Sequence, residues 1–193
     1  MTGGLRERKK AKTRAAIREC AFRLFTAQGY DATTVEQIAG AAEVSPSTFF
    51  RYFPTKEDLV VADEYDPLLI AEFQAQPAAM RPTQALRAAM RAVFGAMPAG
   101  EMATVRQRMA LMQDVPALRA AFMDQLAQSL QALEEMAARR VGRDPADIDV
   151  RTFAGAAIGV MMSAYVHWVE DPASDFMARA DAMLGALEQS LRL

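Results

Sequence analysis

Between Thr33 and Lys56 the chain reads TTVEQIAGAAEVSPSTFFRYFPTK, a stretch that holds three helix starts. Thr33 and Glu36 have the spacing of a capping box, a hydroxyl to cap the helix and a carboxylate three residues on to reach back. Val35, Ile38, Ala39 and Ala42 then recur at helical spacing, which predicts a buried face. Ser45 followed by Pro46 is a second start, with a hydroxyl at the cap and a pre-set φ at the first helical position. Phe49 and Phe53 fall on one side of that second helix, while Ser47, Thr48, Phe50, Arg51 and Tyr52 point elsewhere. Pro54 stops it, and Thr55 with Asp58 opens a third. Isolated helices below about 12 residues are marginal in water, so these need a partner to pack on. Two short helices about a tight turn, the second exposing hydroxyls, aromatics and an arginine, suit a recognition helix in a major groove. An ordinary helical corner with exposed aromatics would carry the same pattern.

The rest of the 193 residues is written in helix formers. Ala, Leu, Met, Glu and Arg dominate, 52% of the chain is hydrophobic, and the 10 Gly and 9 Pro fall mostly between periodic segments. Such residues lose little on entering a helix. No run of alternating β-branched residues is present, so the expected class is all-α.

The net charge of -2 hides an asymmetry. Arg6, Arg8, Lys9, Lys10, Lys12, Arg14, Arg18 and Arg23 face only Glu7 and Glu19 in the first 30 residues, and the remainder is acidic. A basic end on an acidic body suits a protein that presents one end to a polyanion; a solvated basic tail would look the same. Residues 1–9, with Gly3 and Gly4 ahead of a charge cluster, read as disordered. From about Lys10 to Gln28, Ile17, Ala21, Leu24 and Phe25 form the core stripe of an amphipathic helix, which Gly29 closes. Lys9, Lys10, Lys12 and Arg14 would then lie where an arm can reach phosphates or a minor groove. Cys20, the only cysteine, excludes an intrachain disulfide and a thiolate cluster. It reads as a small filler beside the stripe.

Residues 13–60, TRAAIRECAFRLFTAQGYDATTVEQIAGAAEVSPSTFFRYFPTKEDLV, closely resemble the DNA-binding domain of the tetracycline-repressor (TetR) family of transcriptional regulators. The matching residues are Ile17, Ala21, Leu24-Phe25, Gly29-Tyr30, Thr33-Thr34-Val35, Ile38-Ala39, Val44-Ser45, Thr48, Tyr52-Phe53, Lys56 and Leu59. The resemblance implies an N-terminal three-helix helix-turn-helix domain, residues 1–54 with its basic arm. A C-terminal helical domain for ligand binding and dimerisation, 55–193, would follow, about nine helices in all. It implies phosphate contacts from Thr34, Tyr52 and Lys56, and a groove-facing set of Pro46, Ser47, Thr48, Phe50 and Arg51. Lys10 and Arg14 would belong to the same surface. Arg51 is a candidate for bidentate contact with guanine, or else for a salt bridge or a phosphate. Two residues depart from the pattern. Phe50 stands where tyrosine is usual, so a phenolic contact to phosphate is lost and a ring that could meet a thymine methyl takes its place. Glu43 stands where the inter-helix turn usually has glycine; a left-handed backbone there would cost about 1–2 kcal/mol.

From Thr55 a connecting helix is expected through Leu59, Val60 and Val61, kinked at Pro67 and ending near Pro77. Further helices are expected at about 82–97, 101–113, 116–141, 147–169 and 173–192, punctuated by Pro82, Pro98, Gly100, Pro116, Gly142, Pro145 and Pro172. Met90, Phe94, Met97, Met102, Met109, Met112, Phe122 and Met123 give the middle helices a soft lining. This is ordinary core or, as the resemblance implies, an adaptable pocket. The expected pocket is Met90, Phe94, Met109, Met112, Phe122, Met162 and Trp168, with arginines 87, 91, 106 and 108 able to receive an anionic group. Gly155, Gly159 and Ser163 are spaced by four and leave one helix face nearly flat. That is either close packing within the chain or, as the resemblance favours, the interface of a homodimer. The apolar run Phe153–Val169, broken by Ser163 and His167, reads as a buried helix and not the roughly 20-residue span a bilayer needs. His167 reads as hydrogen-bonded or interfacial.

No G-x-S-x-G, Walker A loop or H-E-x-x-H is present, and there is one histidine. Nucleophile–base and metal constellations are therefore nearly unavailable, and the expectation is a non-enzyme with no catalytic residues, no cofactor and no metal. The expected protein is a cytoplasmic homodimeric regulator, most readily a repressor, released from a palindromic DNA operator by a small apolar or acyl ligand. PALRAAF, ARRVGRDP and the tryptophan helix resemble a TetR subgroup with acyl-CoA-like ligands. The alternatives are an activator or partner-controlled regulator, and a helical lipid-binding protein.

Overall fold

The computed structural model describes residues 3–62, 65–95, 97–171 and 173–190, and the described chain is helical without a strand. Its elements are α1 Gly3–Gln28, α2 Val35–Ala41, α3 Pro46–Tyr52, α4 Lys56–Val61, α5 Asp66–Ala75, α6 Pro82–Phe94, α7 Ala99–Asp114, α8 Pro116–Val141, α9 Ile148–Glu170 and α10 Phe176–Ser190. Two compact units result: Met1–Ala62 with Leu111–Ala121, and Asp63–Ala110 with Phe122–Leu193.

In the first unit Ile17, Ala21, Phe22 and Phe25 of α1 are buried with Ile38 and Ala39 of α2, Phe49 and Phe53 of α3, and Leu59 and Val60 of α4. This is the expected stripe with one end corrected. The helix starts at Gly3, so residues 3–9, expected to be disordered, are helical; Arg, Lys and Glu are good helix formers once a helix exists to extend. Residues 1–2 lie outside the described set. α1 ends at Gly29, whose φ of 87° is the left-handed conformation that glycine accepts readily.

The cap of α2 is shifted by one residue from the expected Thr33/Glu36 pair. Thr34 is the N-cap, its Oγ1 accepting from Gln37 N at 3.2 Å while Gln37 Oε1 accepts from Thr34 N at 2.9 Å. Thr33 is buried and donates to Gly29 O at 2.7 Å, so its hydroxyl closes the end of α1 instead of the start of α2. Both candidate pairs have x-x-acceptor spacing, and burial decides between them. At α3 and α4 the predicted caps hold: Ser45 accepts from Thr48 N at 3.1 Å, and Thr55 with Asp58 forms a reciprocal box.

The sequence placed the domain boundary after Pro54, whereas the compact units part after Ala62. α4 is built into the first unit because Leu59 and Val60 are fully buried and Arg18 finishes its last turn. Arg18 donates from Nε to Leu59 O at 3.3 Å and from Nη2 to Ala62 O at 3.4 Å, satisfying carbonyls that a helix end leaves unpaired. The connecting helix is also two helices and not one kinked at Pro67. Pro67 lies in the first turn of α5, where a missing N–H costs nothing. That division raises the expected nine helices to ten among the described residues.

The second unit is centred on Phe73, Ala85, Met90, Phe94, Val150, Phe153, Trp168, Phe176 and Leu184. Arg140 of α8 completes α5, donating from Nη1 to Pro77 O at 2.8 Å and from Nη2 to the carbonyls of Phe73 and Gln76, its guanidinium 4.8 Å from the Phe73 ring. Asp66, in the first turn of α5, accepts from Ser129 Oγ at 2.9 Å and Gln125 Nε2 at 3.3 Å of α8. α6 and α10 are joined by Arg87, bidentate to Asp181 at 3.0 and 2.9 Å and bonded to Glu188 at 2.9 Å. α9 is long and apolar enough by composition to cross a membrane. One side of it, Val150, Phe153, Ala154, Ala157, Ala164 and Trp168, is buried in the unit; much of the rest is not, so the helix is less enclosed than its composition suggests.

Candidate nucleic-acid interface

The tip of the first unit is built on a short aromatic stack. Phe49 and Phe53 of α3 are fully buried with their centroids 5.8 Å apart, and the guanidinium of Arg14 lies 4.7 Å above the Phe53 ring. α3 is thereby fixed by its inner face, and its outer face carries Pro46, Ser47, Phe50 and Arg51, all exposed, with Thr48 and Tyr52 half-buried at the margins. Phe50 stands edge-on to Phe49 at 5.5 Å and 87°. Ser45 Oγ bonds Ser47 Oγ at 2.9 Å and Thr48 Oγ1 at 3.0 Å, which lines up hydroxyls at the start of the helix.

The turn before α3 has one residue in an unusual conformation. Glu43 has φ 54°, the one positive-φ residue other than glycine among those described. Its N–H donates to Gly40 O at 3.1 Å, and Val44 N–H donates to Ala39 O at 2.9 Å. These two bonds define a Schellman motif ending α2, with Glu43 at the position glycine normally occupies. The departure noted in the sequence is therefore a strained residue and not a reshaped turn.

The proposed phosphate-side residues occupy the flank. Thr34 is exposed at the start of α2, and Lys10 is exposed on α1. Lys56 is more tightly held than a surface lysine: Nζ donates to Tyr30 O at 3.0 Å and Thr33 O at 3.1 Å and lies 4.0 Å from the Tyr30 ring centroid. An ammonium has three donors, so one is left for an anion while the other two tie the start of α4 to the α1–α2 turn. The Tyr30 hydroxyl donates to Glu57 at 3.0 Å. Burial first, then that carboxylate, pushes its ionisation well above the usual tyrosine range and keeps it a neutral donor. Gln28, bonded to Gln37 Oε1 at 2.9 Å and Thr33 Oγ1 at 3.2 Å, completes this scaffold. Sequence reasoning missed Arg18, Gln28 and Gln37 because their partners are set by packing, not by local spacing. Cys20 is half-buried, its thiol donating to Ala41 O at 3.2 Å.

In the second unit the structure brings together part of the expected pocket lining. Met90, Phe94 and Trp168 share one buried cluster, and Phe176 is its hub, 6.3 Å from Phe94, 5.1 Å from Trp168 and stacked on Tyr165 at 4.6 Å. Phe176 was not singled out in the sequence; its place directly after a loop gave no periodic signal. Met109 is buried, Phe122 and Met162 are half-buried, and Met112 is buried among residues of the first unit. Surface grooves of about 490, 410 and 530 Å³ on the second unit are lined by other residues. Two of the four candidate anion-receiving arginines are committed elsewhere. Arg87 and Arg91 both bind Asp181, Arg91 through Nη2 at 2.6 Å, which holds the Asp181 carboxyl below its ordinary range. Arg108 is buried, and Arg106 lies 6.0 Å from the Trp168 ring. His167 is exposed with Nδ1 3.3 Å from Glu170. Gly155 and Gly159 are exposed, and a Cβ built on either meets no atom within 4 Å. The small-residue face of α9 is thus not used for packing within the second unit.

A capped, solvent-facing helix rigidly seated behind a tight turn defines a helix-turn-helix DNA-binding protein. Residues 17–62 match the family described as bacterial regulatory proteins, tetR family, and residues 80–192 match the MftR C-terminal domain. The chain belongs to the TetR family of transcriptional regulators, proteins that are not enzymes. It is 39% identical over 157 residues to the HTH-type transcriptional regulator TcmR of Streptomyces glaucescens, covering 76% of this chain and 66% of that protein, just under two thirds of its length. Over 168 residues it is 32% identical to the protein of Mycobacterium tuberculosis (strain ATCC 25618 / H37Rv) described as a mycofactocin biosynthesis transcriptional regulator, MftR, covering 85% of this chain and 83% of that one. Its fold is similar to that of SmeT, the repressor of the Stenotrophomonas maltophilia multidrug efflux pump SmeDEF, with a TM-score of 0.64 at 19% identity over 92% of this chain and 89% of that one.

Proposed function

We propose that the chain acts in the cytoplasm as a homodimeric repressor, bound to a palindromic operator and released by a small apolar or acyl ligand, with acyl-CoA thioesters as the ligand class to test first. The observation that carries the DNA contact is the outer face of α3, where Pro46, Ser47, Phe50 and Arg51 are exposed on a helix whose inner face is fully buried. Arg51 reads a base with Thr48 beside it in the groove, and Tyr52, Thr34, Lys56, Lys10 and Arg14 serve the backbone around them. Dimerisation is supported by the open face at Gly155, Gly159 and Ser163 on a helix too apolar to be left in water. Two recognition helices then meet half-sites about 34–36 Å apart.

Release is a population shift. A ligand among the helices of the second unit, near Met90, Phe94 and Trp168, favours one setting of α5 over another; a ligand binding both settings equally would release nothing.

The test is selection of bound sites from a random DNA pool, with and without a mixture of acyl-CoA thioesters. A palindrome that is lost on adding the mixture is expected, and Arg51→Ala is expected to lose preference for that palindrome in competition with random DNA. A palindrome indifferent to the mixture would remove the ligand assignment and keep the dimeric regulator. Unchanged preference in Arg51→Ala would remove its base-reading role.

A further inference from the structure

Phe50 is the large apolar side chain on the outer face of α3, and it is 49% exposed. Its neighbours on that face, Pro46, Ser47 and Arg51, suit water or DNA; a phenyl ring suits neither water nor phosphate. It is also not loose. The ring stands edge-on to Phe49, whose own ring is fully buried and packed on Phe53 beneath Arg14. Edge-to-face contact of this kind fixes ring orientation as well as position. An exposed apolar group held in a set direction on a recognition surface calls for an apolar partner.

The major groove offers one apolar group on its base edges, the C5-methyl of thymine. Guanine, cytosine and adenine present only donors and acceptors there, and a phenyl ring over any of them would strip water from a polar edge without replacing it. The phosphates are excluded as its target for the same reason, since the ring has no hydroxyl to donate. We infer that Phe50 is a specificity-determining residue that reads a thymine methyl at one fixed position of each operator half-site. The inference rests on α3 being the recognition helix, as proposed above, and adds a base identity to it.

The test separates the methyl from everything else about thymine. Once the full-length protein has yielded a selected site, each thymine of the half-site is replaced singly by deoxyuridine, which pairs identically and lacks only the methyl. Binding is measured for the unaltered protein, Phe50→Ala and Phe50→Tyr, each first shown by thermal melting to be folded. One thymine is expected whose replacement weakens the unaltered protein about fourfold per half-site, the worth of one buried methyl group. The same replacement is expected to leave Phe50→Ala unaffected. Phe50→Tyr, with a hydroxyl at the ring tip that a phosphate oxygen can accept from, is expected to show a reduced methyl effect. No methyl-sensitive thymine, or equal sensitivity in Phe50→Ala, would overturn the inference while leaving the recognition helix in place. Failure to select any site would overturn the recognition-helix reading, and this inference with it.

Discussion

Glu43 holds the turn between α2 and α3 in a conformation that L-residues avoid, φ 54°, with both Schellman hydrogen bonds formed around it. A non-glycine residue there costs about 1–2 kcal/mol, and glycine returns part of that gain through the extra freedom of the unfolded chain, about 0.5–1 kcal/mol. Glu43→Gly is therefore expected to stabilise the protein by about 0.5–1 kcal/mol, read as a rise in the midpoint of chemical denaturation at unchanged slope. Glu43→Ala keeps the strain and is expected to give no such gain; equal stabilisation by both would show that the side chain, not the backbone, is the cause. At this scale the sequence was highly legible. The caps at Ser45 and Thr55 were visible because each depends on neighbours within a few positions, and the missing glycine at Glu43 and missing tyrosine at Phe50 stood out only against the TetR pattern. Thr33 and Thr34 were not separable, since two adjacent hydroxyls offer the same spacing and only tertiary burial chooses between them.

The elements are joined by charged groups whose partners lie far away in sequence, and these were the least legible features. Arg87 and Arg91 looked like receivers for a ligand anion, yet Asp181 and Glu188 of α10 had already claimed Arg87 and Asp181 had claimed Arg91. Nothing local to α6 announces this. The Arg87 fork favours the ionised form of Asp181, so the folded carboxyl titrates below its unfolded value of about 3.9. A depressed acid adds stability above the unfolded pKa and loses it as pH falls through the folded one. The α6–α10 link should thus contribute fully above about pH 4, weaken below it, and be lost as pH passes the lower folded value. Because Asp181 is part-exposed, solvent screening keeps its contribution modest. Asp181→Asn is expected to lower the melting temperature more at pH 7 than at pH 3. An equal loss at both pH values would show that the contact is steric and not ionic.

For the molecule as a whole, the helix count came out one short, while the all-α class and the TetR family followed from periodicity, caps and the TetR resemblance. The division after Ala62, the passage of residues 111–121 to the first unit, and the split of the connecting segment did not, because each is settled by packing between distant stretches. The α9 face gives the test that belongs to this scale. A Cβ at Gly159 meets nothing within the chain, and removing a helical glycine favours the helix by up to about 1 kcal/mol. Gly159→Leu is therefore expected to remain folded while sedimenting as a monomer and losing cooperative binding to a palindrome. Dimerisation at unaltered affinity would place the interface elsewhere. Arg140 carries a consequence of another kind. The carbonyls that end α5 are closed by a guanidinium 63–67 positions later in the chain. During synthesis α5 leaves the ribosome with that turn incomplete and must wait for most of α8 before it can be finished. Until α8 docks, the carbonyls that end α5 have only water from which to accept.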